Sequence, residues 1–420
     1  MAALAISREK PFMRGVRTTR VWAELPDYPK FLDFPESEYK RRHEAAKTLM
    51  SERRIDALLI TTKENLIYFT GYRTDLYDSK FRPFICILPC SGEPVMLVPD
   101  LERWGCVQST WIKDVRHYGL FLDASYKDAI SATVDILKNI GLGKGTIGTE
   151  IGPATRIGMS LSEFEKLKVS VPDIKFVDPA DLVWRIRSIK TEEEIGRVKK
   201  ACQITEKAIA AAWGMLKEAV SERELASVIY QTMIAEGADE LGALVTRSGF
   251  ARLNMLNPPP SDYRIKHGDL VLLDLGAVYR DYWSDMTRMA ILGQPSQSVK
   301  DTYKIVTRAQ EEAMKTIREG VKAKDVDAAA TRVFKDTNTT QWMLHRTGHS
   351  VGLDVHELPS LGPFDETTLQ EGMILTVEPG LYPLMYTGGI GNFLVEDMVV
   401  VRKNGYDLLT VSSRDLYTKS

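Results

Sequence analysis

A helix pair followed by a strand pair bearing two acids occurs twice in this chain, and this repeat restricts its folding more than any other feature. "KEAVSERELA" from Lys217 aligns with "REGVKAKDVD" from Arg318, an offset of 101 residues. Asp274 and Asp285 follow the first copy, Glu378 and Glu396 the second. Two amphipathic helices and a hairpin cannot bury their own apolar faces, so two such units are expected to pack together about a pseudo-twofold. Local signals agree: Thr191 with Glu194 and Ser221 with Glu224 read as capping boxes, and Ile195, Val198 and Ala201 recur at helical spacing.

The acids then pose an electrostatic problem. In "VLLDLGAVYRDYWSDMTR", Asp274 and Asp285 lie equally far from Tyr279 and Arg280. A turn at that pair sets them opposite each other, with Cβ atoms roughly 4.5–5.5 Å apart, where like charges repel. Buried carboxylates relieve such repulsion by taking up protons, or by binding cations. Four ionised carboxylates are neutralised by two divalent ions, whereas one ion leaves two charges over, so two ions about 3.5–4 Å apart are expected. Mostly oxygen donors favour manganese, with iron, cobalt or zinc admitted. His345, His349 and His356, half of the six histidines, lie between the acid pairs in "LHRTGHSVGLDVHELP". That density points to a role in the site, and Gly348 and Gly352 permit close backbone approach.

The remaining totals bound the organisation. With 420 residues, 44% of them hydrophobic, two or three domains are expected at about 150 residues each. A net charge of −2 gives no electrostatic reason for nucleic acid or an anionic membrane as partner. No window nears the roughly 18 apolar residues of a membrane span, and the N-terminus meets charge after six residues; a cytoplasmic protein is expected. Cys86, Cys90, Cys106 and Cys202 lack framework spacing and read as buried free thiols ahead of a metal or redox site. Residues 1–35 form a proline-scattered arm, 36–186 an α/β domain and 187–420 a second domain of helix-hairpin repeats.

"GDLVLLDLGAVYRDYWSDMTR", "TGHSVGLDVHE", "LTVEPGLY" and "VEDMVVV", in that order, resemble the pita-bread metallopeptidase family. "IDALLITTKENLIYFTGY" and "RSIKTEEEI" resemble its aminopeptidase P, prolidase and creatinase branch. The resemblance covers residues 38 to 412. It implies a creatinase-like N-terminal α/β domain and a pita-bread C-terminal domain of α+β type. It also implies metal ligands at Asp274, Asp285, His349, Glu378 and Glu396, with Asp285 and Glu396 bridging two ions. Glu378 would accept the proton of the attacking water, His356 and His345 would contact the substrate carbonyl and the tetrahedral intermediate, and the chain would form a homodimer. The implied reaction is cleavage of a C–N amide bond by an Xaa-Pro aminopeptidase or dipeptidase.

Two positions depart from the family's pattern. Asn257 stands where proline-processing members usually carry histidine, and Leu394 where members often carry arginine. Asparagine cannot be a protonated imidazole and leucine offers no polar group. These changes leave open a hydrolase or lyase of a small non-peptide metabolite, as in creatinase, ectoine hydrolase or the sulfoniopropionate lyase of this fold; a binding protein without catalysis ranks below both. Trp283 and Tyr386 are either hairpin cover or walls of the substrate pocket, and His267 is expected to face solvent.

Overall fold

A nearly unbroken apolar run along the strand Leu270–Tyr279 organises the C-terminal half of the molecule. A computed structural model describes residues 29–119, 126–152 and 155–419. They divide into two units, Met1–Val183 and Trp184–Ser420. The arm expected over 1–35, including Trp22 and Tyr28, lies mostly outside the described residues; Phe31 is exposed. No helix among the described residues is long and apolar enough to cross a membrane.

The first unit is built on a six-stranded mixed sheet. Its strands are β1 (Ala57–Ile60), β2 (Ile85–Pro89), β3 (Val95–Pro99), β4 (Asp114–Tyr118), β5 (Gly145–Thr149) and β6 (Ile174–Val177), in the order β4-β3-β2-β1-β5-β6. Every residue of β1, β2 and β3 is buried, which is why these segments read as apolar runs and not alternations. Helices α1 (Glu36–Arg53), α2 (Ala129–Asn139) and α3 (Leu161–Ser170) accompany the sheet. Asp128 caps α2, and Ser160 with Glu163 forms a capping box on α3. Cys86 and Cys106 here, and Cys202 in the second unit, are buried free thiols; Cys90 is half-buried.

In the second unit the repeat is visible in the backbone. Helices α4 (Glu192–Met215) and α5 (Glu222–Ala235) are matched by α6 (Gln297–Thr316) and α7 (Ala323–Asp336). The Ser221 and Lys322 positions preceding α5 and α7 make equivalent bridges, to Arg264 and Thr368. Both expected capping boxes form, at Thr191 and Ser221. The first half's sheet comprises β7 (Glu240–Ser248), β8 (Leu270–Tyr279), β9 (Tyr282–Trp283), β10 (Met286–Leu292) and the late strand β18 (Tyr417–Lys419). The second comprises β11 (Gly348–Ser350), β12 (Glu357–Leu361), β13 (Ile374–Val377), β16 (Asp397–Arg402) and β17 (Gly405–Leu408), with β14 (Gly380–Leu381) pairing β15 (Phe393–Leu394) beside it.

Both faces of β8 are covered, by different neighbours. Val271, Leu273, Leu275 and Ala277 pack with Ile204, Ala208 and Ile229 of α4 and α5. Leu270 and Leu272 point the other way, into a cluster with Leu375, Val377 and Val399 from the second sheet. Asp274 shares the parity of that second set and therefore faces the opposite half.

The hairpin corrects one expectation. Its turn residues are Arg280 and Asp281, both with positive φ (48° and 68°), and Tyr279 pairs with Tyr282; two such residues give the turn whose twist suits a two-residue hairpin. The turn therefore falls one residue later than Tyr279 and Arg280. Asp274 stands opposite Thr287, not Asp285. A shift of two keeps Asp285 on the same face, now diagonal to Asp274, where separations of roughly 7–8 Å weaken the repulsion.

A buried ion pair ties the halves together. Arg288 on β10 donates to Asp397 Oδ1 at 2.6 Å, and to the backbone oxygen of Glu396 at 2.6 Å and of Thr287 at 3.0 Å. Breaking a buried pair typically costs about 3–5 kcal/mol. Arg414, Thr410 and Gln310 would still serve Asp397, so Arg288→Met is expected near the low end, about 3 kcal/mol. Urea unfolding checks this; an unchanged midpoint would show that the pair contributes nothing to joining the halves.

Candidate metal centre

Asp285, His349 and Glu396 each present a donor atom to one point, with these atoms all within 4.8 Å of one another and all three residues buried. They come from the β10 hairpin, from β11 and from the segment entering β16, so the cluster draws on both halves. Glu378, directly after β13, brings Oε1 to 3.3 Å from His349 Nε2, and Asp285 Oδ2 lies 3.8 Å from the same nitrogen. Asp274 and Glu378 are half-buried. Asp274 makes itself felt at Asp285, Glu378 and Glu396 by raising their pKa values.

The protonation of His349 follows from its neighbours. Its Nδ1 lies 3.0 Å from the Ser350 carbonyl oxygen, which can only accept, so the proton sits on Nδ1 and the Nε2 lone pair faces the carboxylates. Burial foremost, then the nearby His356, lowers its pKa to about 3. It is therefore neutral and ready to be a ligand.

The carboxyls move the opposite way. Burial is the largest influence on each; Asp274 is raised, and Asp285 and Glu396 are raised well above the usual range, with repulsion from Asp274 and Glu378 added at both. Glu378 is pushed up to about 8 by burial and then by Asp274. Four carboxyls and one neutral imidazole, held against the acids' repulsion, fit hard divalent cations. With no cation the same groups hold protons.

Supporting contacts were not foreseen from the chain. Thr287, opposite Asp274 on β8, donates to Glu396 Oε2 at 2.9 Å, joining the two halves. Its place two residues after Asp285, on the same face, was the available signal. The backbone N–H of Asp285 donates to the Met398 sulfur at 3.0 Å, and Cys202 contacts that sulfur too, at 3.5 Å.

The other expected site residues occupy different settings. His356 is exposed, its ring centroid 4.3 Å from that of His349. His345 is half-buried, with Nε2 2.7 Å from the Tyr382 hydroxyl and Nδ1 2.7 Å from the Arg346 carbonyl. Trp283 is half-buried and donates its backbone N–H to Gly352. Tyr386 is half exposed and donates to the Met343 carbonyl at 3.3 Å. Asn257 is exposed, as is His267. Leu394 is buried in the apolar cluster of the second half. None of Asn257, Leu394, Trp283 and Tyr386 hydrogen-bonds to the four acids and one imidazole among the described residues.

Comparison with known proteins now adds to this geometry. Residues 196–403 match the model of metallopeptidase family M24, and residues 42–189 that of the creatinase/prolidase N-terminal domain. The chain is 33% identical over 377 residues to an Xaa-Pro dipeptidase of Pyrococcus furiosus, covering 90% of this chain and 99% of that one. Among solved structures it resembles the prolidase from Pyrococcus horikoshii OT3 (30% identity, TM-score 0.76). It also resembles an Xaa-Pro dipeptidase from Bacillus anthracis (26% identity, TM-score 0.80). Each comparison covers 90% of this chain and 99% of the other.

The raised carboxyls yield a pH prediction. Glu378 binds its proton more tightly folded (about 8) than at its ordinary value of 4.5, so in metal-stripped protein its contribution is fully present below the ordinary value. That stability is lost as pH rises through the raised one. A bound divalent cation relieves the same repulsion. The difference in melting temperature between manganese-loaded and chelator-treated protein should widen as pH rises from about 4.5 to about 8. A difference that stays constant with pH would contradict this.

Proposed function

The chain belongs to metallopeptidase family M24, and from that premise we propose that it is a dinuclear, manganese-dependent Xaa-Pro dipeptidase. The observation that carries this is the convergence of Asp285, His349 and Glu396, flanked by Glu378 and Asp274, in a chain covering nearly the whole of an Xaa-Pro dipeptidase. In this reading Asp274, Asp285, His349, Glu378 and Glu396 hold two divalent ions, with manganese favoured by the oxygen-rich set and iron, cobalt or zinc as substitutes. Such ions, when bound, lower the pKa of a water and polarise the scissile carbonyl.

The chain's own residues do the rest. Glu378 takes the proton released when water attacks the carbonyl carbon and delivers it to the departing proline nitrogen. His356, exposed beside His349, donates to the developing oxyanion; one such donor is typically worth about 2.7–4 kcal/mol. Trp283 and Tyr386 line the substrate pocket. The protein acts on small peptides in the cytoplasm as a homodimer, and analytical ultracentrifugation tests that assembly.

A second reading has its own support. Asn257 and Leu394 supply neither an imidazole nor a guanidinium, which favours a small non-peptide substrate for a hydrolase or lyase on the same scaffold.

Chelation is expected to abolish turnover of Xaa-Pro dipeptides and manganese to restore it, with two ions per chain by elemental analysis. Glu378→Gln should lower kcat by about 10²–10⁴, the range for losing an acid–base group. Two bound ions without turnover of any Xaa-Pro peptide would transfer the assignment to the second reading. Absence of both metal and activity after reconstitution would leave a binding protein.

A further inference from the structure

A charged network lies beneath the connection that carries His356, and the reaction derived above uses none of it. Glu357, Arg187 and Lys190 are each 4% exposed, and Asp354 is half-buried. Lys190 Nζ donates to Glu357 Oε2 at 2.9 Å. Arg187 Nη2 donates to Glu357 Oε1 and, at 2.9 Å, to Asp354 Oδ2. Two cations face two carboxylates, so the group keeps its charges away from water only while it stays complete.

The Glu357 carboxylate also gathers the backbone around it. Oε1 accepts the N–H groups of Leu353 at 3.0 Å and Asp354 at 3.3 Å, and a methyl added at Gly352 would come within 2.6 Å of Oε2. From the other side, the Trp283 N–H donates to the Gly352 carbonyl at 2.8 Å. Lys190 reaches further, donating to Ser350 Oγ at 3.1 Å. Ser350 is paired with Glu357 across β11 and β12, and its carbonyl accepts from His349 Nδ1. One ammonium therefore spans the residue after His349 and the residue after His356.

His356 makes no hydrogen bond of its own among the described residues; it is exposed, with its ring 4.3 Å from that of His349. A ring without a partner takes its place from the backbone beneath it. We propose that Lys190 and Arg187 are positioning residues: through Glu357 they fix the connection from Val351 to Val355 and so hold His356 beside His349. The effect on turnover rests on the peptidase reading; the effect on the connection does not.

Lys190→Met removes the ammonium that spans both ends, while Arg187 and two backbone N–H groups remain on Glu357. In manganese-loaded protein, with folding checked by melting and metal by elemental analysis, amide exchange at Leu353 and Asp354 should quicken about tenfold or more. With an Xaa-Pro dipeptide, kcat should fall about tenfold to a hundredfold, the span for losing a group that orients a site residue, with KM nearly unchanged. In a His356→Ala background the same substitution should change kcat by less than about twofold, because the ring it positions is gone. Lys190→Arg, which restores a cationic donor, should recover most of the loss. Asp354→Asn, at the half-buried end, should give a smaller loss with the same dependence on His356, and it decides the question if Lys190→Met does not fold. A full loss of kcat repeated in the His356→Ala background overturns the proposal, as does unaltered exchange at Leu353 and Asp354. Loss of manganese with that exchange unaltered also overturns it, by placing the effect at His349. A wild type that turns over no Xaa-Pro peptide defeats the peptidase reading, while amide exchange still decides whether the network holds the connection.

Discussion

Negative charge withdrawn from water is the constraint on which the rest of this molecule depends. Burial raises the proton affinity of Asp274, Asp285, Glu378 and Glu396, and Asp274 adds repulsion at the other three, because two halves of one unit bring them together. Apolar packing provides the force: outward-facing residues of β8 seat on α4 and α5, and its other face meets the second sheet. The Arg288–Asp397 pair and the Thr287 hydroxyl then hold the acids in register. Such a cluster is costly without a cation, and His349, held neutral by burial with its Nδ1 proton on the Ser350 carbonyl, turns a bare lone pair toward it.

A contrast within the same chain separates burial from function. Glu150 in the first unit is fully buried, yet it accepts hydrogen bonds from the backbone and hydroxyls of Thr61 and Thr62 and from Asn65. Its charge is dispersed over donors the fold itself supplies. Among the described residues Asp285 receives no comparable set, and its neighbours are other acids and His349. The number of donors each carboxylate is given, more than its depth, distinguishes a structural acid from one awaiting a partner.

What could be read from the chain was local or periodic. The capping boxes at Thr191 and Ser221 mark helix starts through residues three apart, and strand parity put Asp274 and Asp285 on one face. The turn escaped because "YRDY" contains no glycine to announce it; Arg280 and Asp281 both take the left-handed conformation, and only the paired strands decide which two residues do so. Contacts between distant segments were illegible for the same reason. Thr287 on Glu396 and Tyr382 on His345 depend on distant elements meeting, which no short motif encodes. Leu394 marked a departure from the family's pattern by its type, while its place in the apolar cluster depends on the same meeting of elements.

The two-residue turn at Arg280 and Asp281 carries a consequence for how such a chain can vary over generations. Side chains alternate along a strand, so gaining or losing one residue between Asp274 and Asp285 would swing the second aspartate to the helix-covered face. A change of two would return it to the cavity. Natural length variation in this loop is thus expected in even steps, or offset by a bulge elsewhere in the strand, so that the tolerance of the hairpin to indels is governed by arithmetic parity and not by loop size.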